Sequence, residues 1–342
     1  MIGLTQKQVA QFREELEADR PAIYFHDDAD GLASFLLLYK HFTEGKGIVL
    51  KSPQPMSSRL IASANGCDKI FIVDIAQVEQ EFIDEAKVPV VWVDHHGPFD
   101  VKGATYINSR SIDPERNAPA SYLCYQAVKE NLWISVVGCI GDWFIPPTAE
   151  EFRQKYPDLL PEGVEEPSQA LFETEAGRLA KIFNFCLKGN ANEAMKYVKT
   201  LTRIKSPYEI LNKETPQGKF IYKKYEKFEK EYQEIIKDAR KTRSKLLFYK
   251  APSDRTAFNS EISNEIIYRY PDRIVMIARE HGGYVKFSVR SSPPVVVRDA
   301  LEKALSSVDG KGGGHEQACG GMVKAEDWDR FFKEFKKETK SL

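Results

Sequence analysis

At 342 residues, 42% of them hydrophobic, with a formal net charge of −1, the chain is long enough for about two domains with ordinary cores. The near-neutral balance excludes a chain-wide electrostatic pull toward nucleic acid, so any basic surface must be local. No apolar run is long enough to span a bilayer, and the charged amphipathic stretch 5–20 does not read as a signal peptide, so a cytoplasmic protein with no membrane partner is expected.

Strand and helix patterns alternate through the first part, as in a parallel sheet covered by helices. Ala22-Ile23-Tyr24-Phe25 reads as a strand and runs into His26-Asp27-Asp28-Ala29-Asp30-Gly31. A helix at 32–42 and a strand at 48–50 follow. Ile70-Phe71-Ile72-Val73 leads to Asp74 and a helix at 77–86, and Val90-Val91-Trp92-Val93 leads to Asp94-His95-His96. A helix at 122–129 precedes the apolar run Val136-Val137-Gly138-Cys139-Ile140-Gly141, read as the strand that delivers Asp142. The Pro- and Glu-rich stretch 146–167 reads as a surface excursion, and helices follow at 170–188 and 191–202.

A long helix is expected over 216–243, because Ile221, Tyr225, Phe228, Tyr232, Ile235 and Ala239 step by four and three. Its other face is rich in Lys and Arg. That face is either a solvated side of a packed connector or the lining of a basic groove. A second α/β unit starts near 244, with strands at 246–249, 274–278 and 285–289 and helices at 262–268 and 297–306. It closes with a glycine loop, Gly310-Lys311-Gly312-Gly313-Gly314-His315, then a strand at 321–324 and a terminal helix. The five cysteines, Cys67, Cys124, Cys139, Cys186 and Cys319, form no CxxC pair, which fits small buried apolar residues better than disulfides or zinc ligands.

The acidic and histidine clusters carry the chemistry. In a parallel α/β sheet the carboxyl ends of neighbouring strands converge on one crevice, where ligands bind. Several carboxylates and imidazoles gathered there repel one another unless a multivalent cation holds them. Oxygen-rich ligands mixed with imidazole suit Mn²⁺, then Mg²⁺, better than zinc, and two such ions about 3.5–4 Å apart can clamp a phosphoryl group. Aspartates after strands also cap helices. A cap accounts for one of them, such as Asp30, but not for His26, Asp28 and the Asp94-His95-His96 run together. Three successive glycines let backbone N–H groups cradle an anion, with His315 beside them and Arg290 as a bidentate fork; alone, Gly-Gly-Gly is also an ordinary flexible turn. Trp143 and Phe144 are candidates for base stacking or for packing behind Asp142. Asn108-Ser109-Arg110 reads as a strand-to-loop turn, with phosphate contact as the alternative.

These motifs, in order and at this spacing, resemble the DHH phosphoesterase superfamily, and within it the members with a DHHA1 domain, which include RecJ-like exonucleases and NrnA-type oligoribonucleases. Phe287-Ser288-Val289-Arg290-Ser291-Ser292 and Gly312-Gly313-Gly314-His315 carry the DHHA1 part. The resemblance implies an α/β chain: a parallel-sheet DHH domain (1–205), a helical linker (206–244) and a smaller α/β DHHA1 domain (245–342), with the active site in the cleft between the domains. It implies that His26, Asp28 and Asp74 hold one metal and Asp30, Asp74, His95 and Asp142 the other, with Asp74 bridging. His96 would face the scissile phosphate, Asp27 and Asp94 would play supporting parts, and Arg290, Gly312, Gly313, Gly314 and His315 would bind substrate. One departure stands out: many relatives carry a histidine four residues before the first ligand aspartate, where this chain has Tyr24 and places His26 instead.

The function so implied is a Mn²⁺-dependent, two-metal phosphodiesterase that degrades single-stranded DNA or RNA, or short oligonucleotides, from an end. A helicase or replication factor is a conceivable protein partner. The glycine motif disfavours the pyrophosphatase branch, and the lack of room for an extra OB-fold lobe favours short substrates. Two alternatives remain: a phosphatase or phosphodiesterase for small nucleotides such as 3′-phosphoadenosine phosphate or a cyclic dinucleotide, and a metal-free replication scaffold, which the filled ligand positions disfavour.

Overall fold

The run Ala22-Ile23-Tyr24-Phe25 has no exposed surface (0% for each residue) because it forms a strand, β1 (Ala22–His26), covered on both faces. This is a computed structural model, and it describes residues 2–51, 55–239, 241, 244–253 and 258–341. Within the first part, β2 (Lys46–Leu50), β3 (Ile70–Val73), β4 (Val90–Asp94) and β5 (Thr105–Asn108) join β1 in a parallel sheet of order β2-β1-β3-β4-β5. Helix α1 (Gln6–Glu15) starts on a capping box between Thr5 and Gln8. Helix α2 (Ala29–Phe42) stacks Phe35 on Phe25 at 4.6 Å on one side, while α3 (Gln80–Glu85) sets Phe82 edge-on to Tyr24 at 5.6 Å on the other. Strands sandwiched this way read as unbroken apolar runs.

The register aligns Phe25 with Val73, Val73 with Val93, and Asp94 with Asn108, so the carboxyl ends of β1, β3, β4 and β5 lie level. The chain turns from β1 outward to β2, then returns to lay β3 on the other side of β1. That reversal is the topological switch point where doubly wound sheets open a crevice.

Beyond the sheet come α4 (Ala120–Val128) and α5 (Leu132–Gly141). The segment expected to be the strand before Asp142 is therefore a helix. It is buried on every side among α2, α4 and later helices, so its side chains lack an apolar-polar period, and a short apolar run of that kind does not separate strand from helix. Its glycines are close-packing sites: a Cβ on Gly138 would lie 2.5 Å from the Ala33 Cβ and 2.6 Å from the Ser121 Oγ, and one on Gly141 would lie 2.5 Å from the Ala29 Cβ.

The stretch expected to be a surface excursion contains α6 (Ala149–Lys155) and buries Phe152, Leu159 and Leu160 completely. Its acidic residues stay exposed while these apolar side chains turn inward. The single helix expected at 170–188 is two, α7 (Pro167–Glu173) and α8 (Glu175–Leu187), divided at Thr174, which is extended and caps α8 through the Gly177 N–H. Helices α9 (Ala191–Leu201) and α10 (Pro207–Leu211) lead to α11 (Pro216–Ala239). The apolar stripe of α11, from Ile221 to Ile235, is buried as expected. The side chain of Ala239 and the expected end of the helix at Arg243 lie outside the described residues. Lys219, Lys223, Lys227, Lys230 and Lys237 are exposed. Lys224 is buried and donates to the Cys186 and Lys188 carbonyls.

The chain divides into two units, Met1–Tyr225 and Glu226–Leu342. The second holds β6 (Leu246–Ala251), α12 (Asn259–Arg269), β7 (Ile274–His281), β8 (Tyr284–Arg290), α13 (Arg298–Leu305), β9 (Gly310–Gly314), β10 (Ala318–Lys324) and α14 (Trp328–Glu338). Its sheet runs β6-β7-β8-β10-β9, parallel only between β6 and β7. Phe287 and Val289 face a core built with Leu301, Trp328, Phe331 and Phe335.

The expected glycine loop is an edge strand. Gly312, Gly313 and Gly314 sit opposite Gly321, Gly320 and Cys319 of β10. Glycine is weak in strands, yet here the backbones pass too close for side chains: a Cβ on Gly312 would lie 2.7 Å from the Gly320 carbonyl oxygen, and one on Gly314 would collide with that of Ala318. All five cysteines are free thiols, four of them buried. No helix among the described residues is long and apolar enough to cross a membrane.

Candidate metal centre

The turn out of β1 is shaped by Gly31, where a Cβ would lie 2.5 Å from the His26 carbonyl oxygen. The tight return folds His26 over the start of α2. Asp28 is the N-cap of that helix, accepting the Gly31 N–H at 2.9 Å with Oδ1 and facing His26 Nδ1 at 2.7 Å with Oδ2. Asp30 caps a different helix. Only 1% exposed, it accepts the N–H groups of Ala120 (2.7 Å) and Ser121 (3.0 Å), at the start of α4, where Pro119 brings no acceptor of its own. Capping therefore accounts for two aspartates, on two helices, and leaves the histidines unexplained.

Asp74 follows β3 in the left-handed region, with φ 57°, a conformation that Asp tolerates better than most residues. It is 2% exposed. Its Oδ1 lies 3.3 Å from His95 Nε2 and its Oδ2 lies 3.6 Å from His26 Nδ1, and Oδ2 has no hydrogen-bond partner. Asp94, fully buried, turns away and clamps its neighbour: it accepts the His96 N–H at 3.0 Å and meets His96 Nδ1 at 2.8 Å, which leaves His96 Nε2 outward. Asp142 closes the group from the end of α5, with Oδ2 3.7 Å from His95 Nε2. Tyr24, four residues before Asp28, is a core residue that donates to the Leu60 carbonyl at 2.8 Å.

One ligand atom from each of His26, Asp28 and Asp74 falls within 4.8 Å of the others, as does one from each of Asp30, His95 and Asp142, and one from each of Asp74, His95 and His96. These groups contain the six residues expected as metal ligands, and His96, with Asp74 and His95 shared between groups. The electrostatics describe mutual stress. Burial, and then the charge of Asp28, push Asp74 above the usual carboxylate range. Burial, and then Asp74 and Asp142, push Asp30 well above it, and burial foremost lifts Asp142 to about 7. Burial opposes a charged His95, but the hydrogen bond to Asp74 and the surrounding carboxylates raise it to about 10; for His26, Asp28 and Asp74 outweigh burial and raise it to about 11. The hydrogen bond to Asp94 raises His96. An orphaned, buried carboxylate oxygen among crowded acids and imidazoles fits divalent cations.

The sequence undervalued the turn at Asn108. Its Nδ2 donates to the His96 carbonyl (3.1 Å) and to the Tyr106 hydroxyl (2.8 Å), its Oδ1 accepts the Arg110 N–H, and its own carbonyl is held by Gln8 Nε2 at 2.9 Å. Arg110 Nη1 reaches the His95 carbonyl at 3.5 Å. On the far side Lys51 Nζ pairs with Asp27 at 3.2 Å. Asn108→Ala is expected to lower activity about 10–100-fold, the usual cost of losing a partner that orients a ligand. Activity measured beside the circular dichroism spectrum separates that from unfolding.

In the second unit, Arg290 is half-buried rather than a free fork. Its Nε donates to Asn264 Oδ1 (2.6 Å) and its Nη1 to the carbonyls of Val289 (2.8 Å) and Cys319 (3.0 Å), leaving Nη2 for another acceptor. Gly313 opens on free space: a Cβ added there would meet nothing within 4 Å. His315 stands exposed where the chain turns back, its N–H donating to Ala318 at 3.0 Å. The anion nest expected of the glycines is replaced by a β-ladder.

Residues 21–134 match the DHH family, N-terminal domain, and residues 256–341 match the DHHA1 domain. The chain belongs to the DHH family, with a DHHA1 domain. No curated protein matches the sequence. Among solved structures, RecJ from Thermus thermophilus in complex with Mn²⁺ aligns with a TM-score of 0.70 at 15% identity, over 99% of this chain and 55% of that one. The DHH–DHHA1 chain thus spans about half the length of that RecJ. An exonuclease RecJ bound to manganese gives 0.64 at 15% identity, over 96% and 92% of the two chains, and a pGpG-specific phosphodiesterase from Vibrio cholerae gives 0.50 at 16%, over 94% and 99%. These likenesses are likenesses of fold.

Proposed function

We propose that this protein is a divalent-metal phosphodiesterase that shortens single-stranded nucleic acid or short oligonucleotides from an end. The observation that carries the reading is Asp74, a buried carboxylate with an unpartnered oxygen, set between His26–Asp28 on one side and His95–Asp142 on the other. His26, Asp28 and Asp74 would hold one cation, and Asp30, Asp74, His95 and Asp142 a second. The mixture of carboxylate and imidazole favours Mn²⁺, with Mg²⁺ next. When bound, such ions supply Lewis-acid chemistry, lowering the pKa of a water ligand and drawing charge from phosphoryl oxygens.

The chain's own groups do the rest. Asp94 holds His96 through Nδ1 and raises its pKa, which favours the imidazolium, whose Nε2 proton can be donated to a phosphate oxygen or to the departing one. The DHH loop is held in place by Asn108 and Arg110. Substrate binding is assigned to Arg290 through Nη2, to Gly312, Gly313 and Gly314, of which Gly313 opens on free space, and to His315. Relatives of this fold named as exonuclease RecJ and as a pGpG-specific phosphodiesterase support phosphodiester substrates, and the second supports a small-nucleotide reading.

The test is a time course with Mn²⁺ on end-labelled single-stranded DNA and RNA, from dinucleotides to about thirty nucleotides, which brackets single-strand site sizes. A ladder from one end supports an exonuclease. Cleavage confined to dinucleotides supports the small-nucleotide reading, and no metal-dependent cleavage of any diester overturns both.

A further inference from the structure

The end of α5 holds a residue that the acid and histidine cluster does not require. Trp143 directly follows Asp142 and has φ 58°. Its N–H donates to the Ile140 carbonyl at 3.1 Å, and the Phe144 N–H donates to that of Cys139 at 2.9 Å. Those two bonds are a Schellman closure, with Asp142 as C-cap and Trp143 in the left-handed position that glycine fills at no steric cost. A bulky aromatic residue there is an outlier, and such strain collects at ligand clamps and active sites.

The indole is also the exposed one. Trp143 is 40% exposed, whereas Trp92, Trp133 and Trp328 are 0%, 2% and 4% exposed. Packing alone would bury it as it buries the others. Phe172 supports the ring edge-to-face, with centroids 5.6 Å apart and planes at 75°, so the indole is held on one side and open on another. One peptide bond away, the Asp142 carboxylate faces His95 at 3.7 Å.

We propose that Trp143 is a stacking platform for the nucleobase next to the phosphate held at this cluster. The inference rests on the phosphodiesterase reading and deepens it: the substrate must carry an aromatic base at that position, while the identity of the base matters little, because every base has a π-face. Phosphate contacts alone would accept a diester that lacks the base.

Trp143→Gly suits the test because glycine relieves the backbone at this position, so the variant is expected to melt no lower than the native protein. The probe is a dinucleotide with a non-hydrolysable phosphonate bridge, titrated into the Mg²⁺-loaded full chain and followed by tryptophan fluorescence, alongside the same compound lacking the base. Stacking is expected to quench the exposed indole with the base-bearing probe only. Affinity for that probe, measured by calorimetric titration because neither variant keeps the reporting indole, is expected to fall about tenfold or more in Trp143→Gly, the usual scale of one base–aromatic contact, and to be largely kept in Trp143→Phe. Equal affinity of Trp143→Gly and native protein, or a base-free probe bound as tightly as the base-bearing one, overturns the platform even where turnover is normal. Quenching retained without hydrolysis of any diester would instead overturn the phosphodiesterase reading and leave the platform standing.

Discussion

Asp74→Asn is expected to lower metal-dependent hydrolysis by about three orders of magnitude or more, while the metal-free protein stays folded and melts higher than native at about pH 8. The first part follows from placement: Asp74 groups with His26 and Asp28 and also lies 3.3 Å from His95, so in the proposed assignment its loss affects both cations, whose charge stabilisation is worth several kcal/mol at a tenfold rate for each 1.36. The second part follows from its raised pKa. A carboxyl raised by folding favours the folded state only while protonated; that contribution is present below the unfolded-state value and is lost as pH rises through the folded one. As pH rises the native side chain loses it, whereas Asn is neutral throughout and adopts φ 57° with little strain. The stability difference should therefore shrink toward acid pH. Melting temperatures with chelator and with Mn²⁺, read beside turnover, check both halves. A variant that kept native turnover and the native rise in melting temperature with Mn²⁺ would show that the cations bind elsewhere.

The residues of this centre were legible in the sequence because β1, β3 and β4 are buried on both faces. Strands of that kind appear as unbroken apolar runs, and the acids and histidines at their ends stand out against them. The same logic failed at α5, where helical burial on all sides also gives an unbroken run, and where Gly138 and Gly141 resemble strand punctuation although they serve close packing. Asn108 escaped because its role depends on the β4–β5 register that sets it opposite Asp94, a pairing that no local pattern encodes. The glycines of β9 pointed to a turn because glycine is common in turns and costly in strands; only their partners on β10, themselves Gly320 and Gly321, explain a strand without side chains. Asp28 and Asp30 show the same limit, since one caps its own helix and the other caps α4, ninety positions away.

Adding Mn²⁺ to the metal-free protein is expected to release protons, and its affinity is expected to climb about tenfold or more per pH unit between about pH 6 and pH 8. Near neutrality His95, raised to about 10, and His26, raised to about 11, hold protons, and Asp142, raised to about 7, is partly protonated. An imidazole ligates a metal only when neutral, so binding must displace the histidine protons and draw Asp142 fully into its charged form. Every displaced proton makes binding stronger as pH rises, and the gain levels off once pH passes the value of the group concerned. A site of ordinary carboxylates alone, already ionised at pH 6, would show almost no pH dependence. Calorimetric titration in two buffers of different ionisation enthalpy counts the protons. A flat affinity with no proton release would remove His26 and His95 from the ligand set, leaving the surrounding carboxylates to hold whatever cation binds.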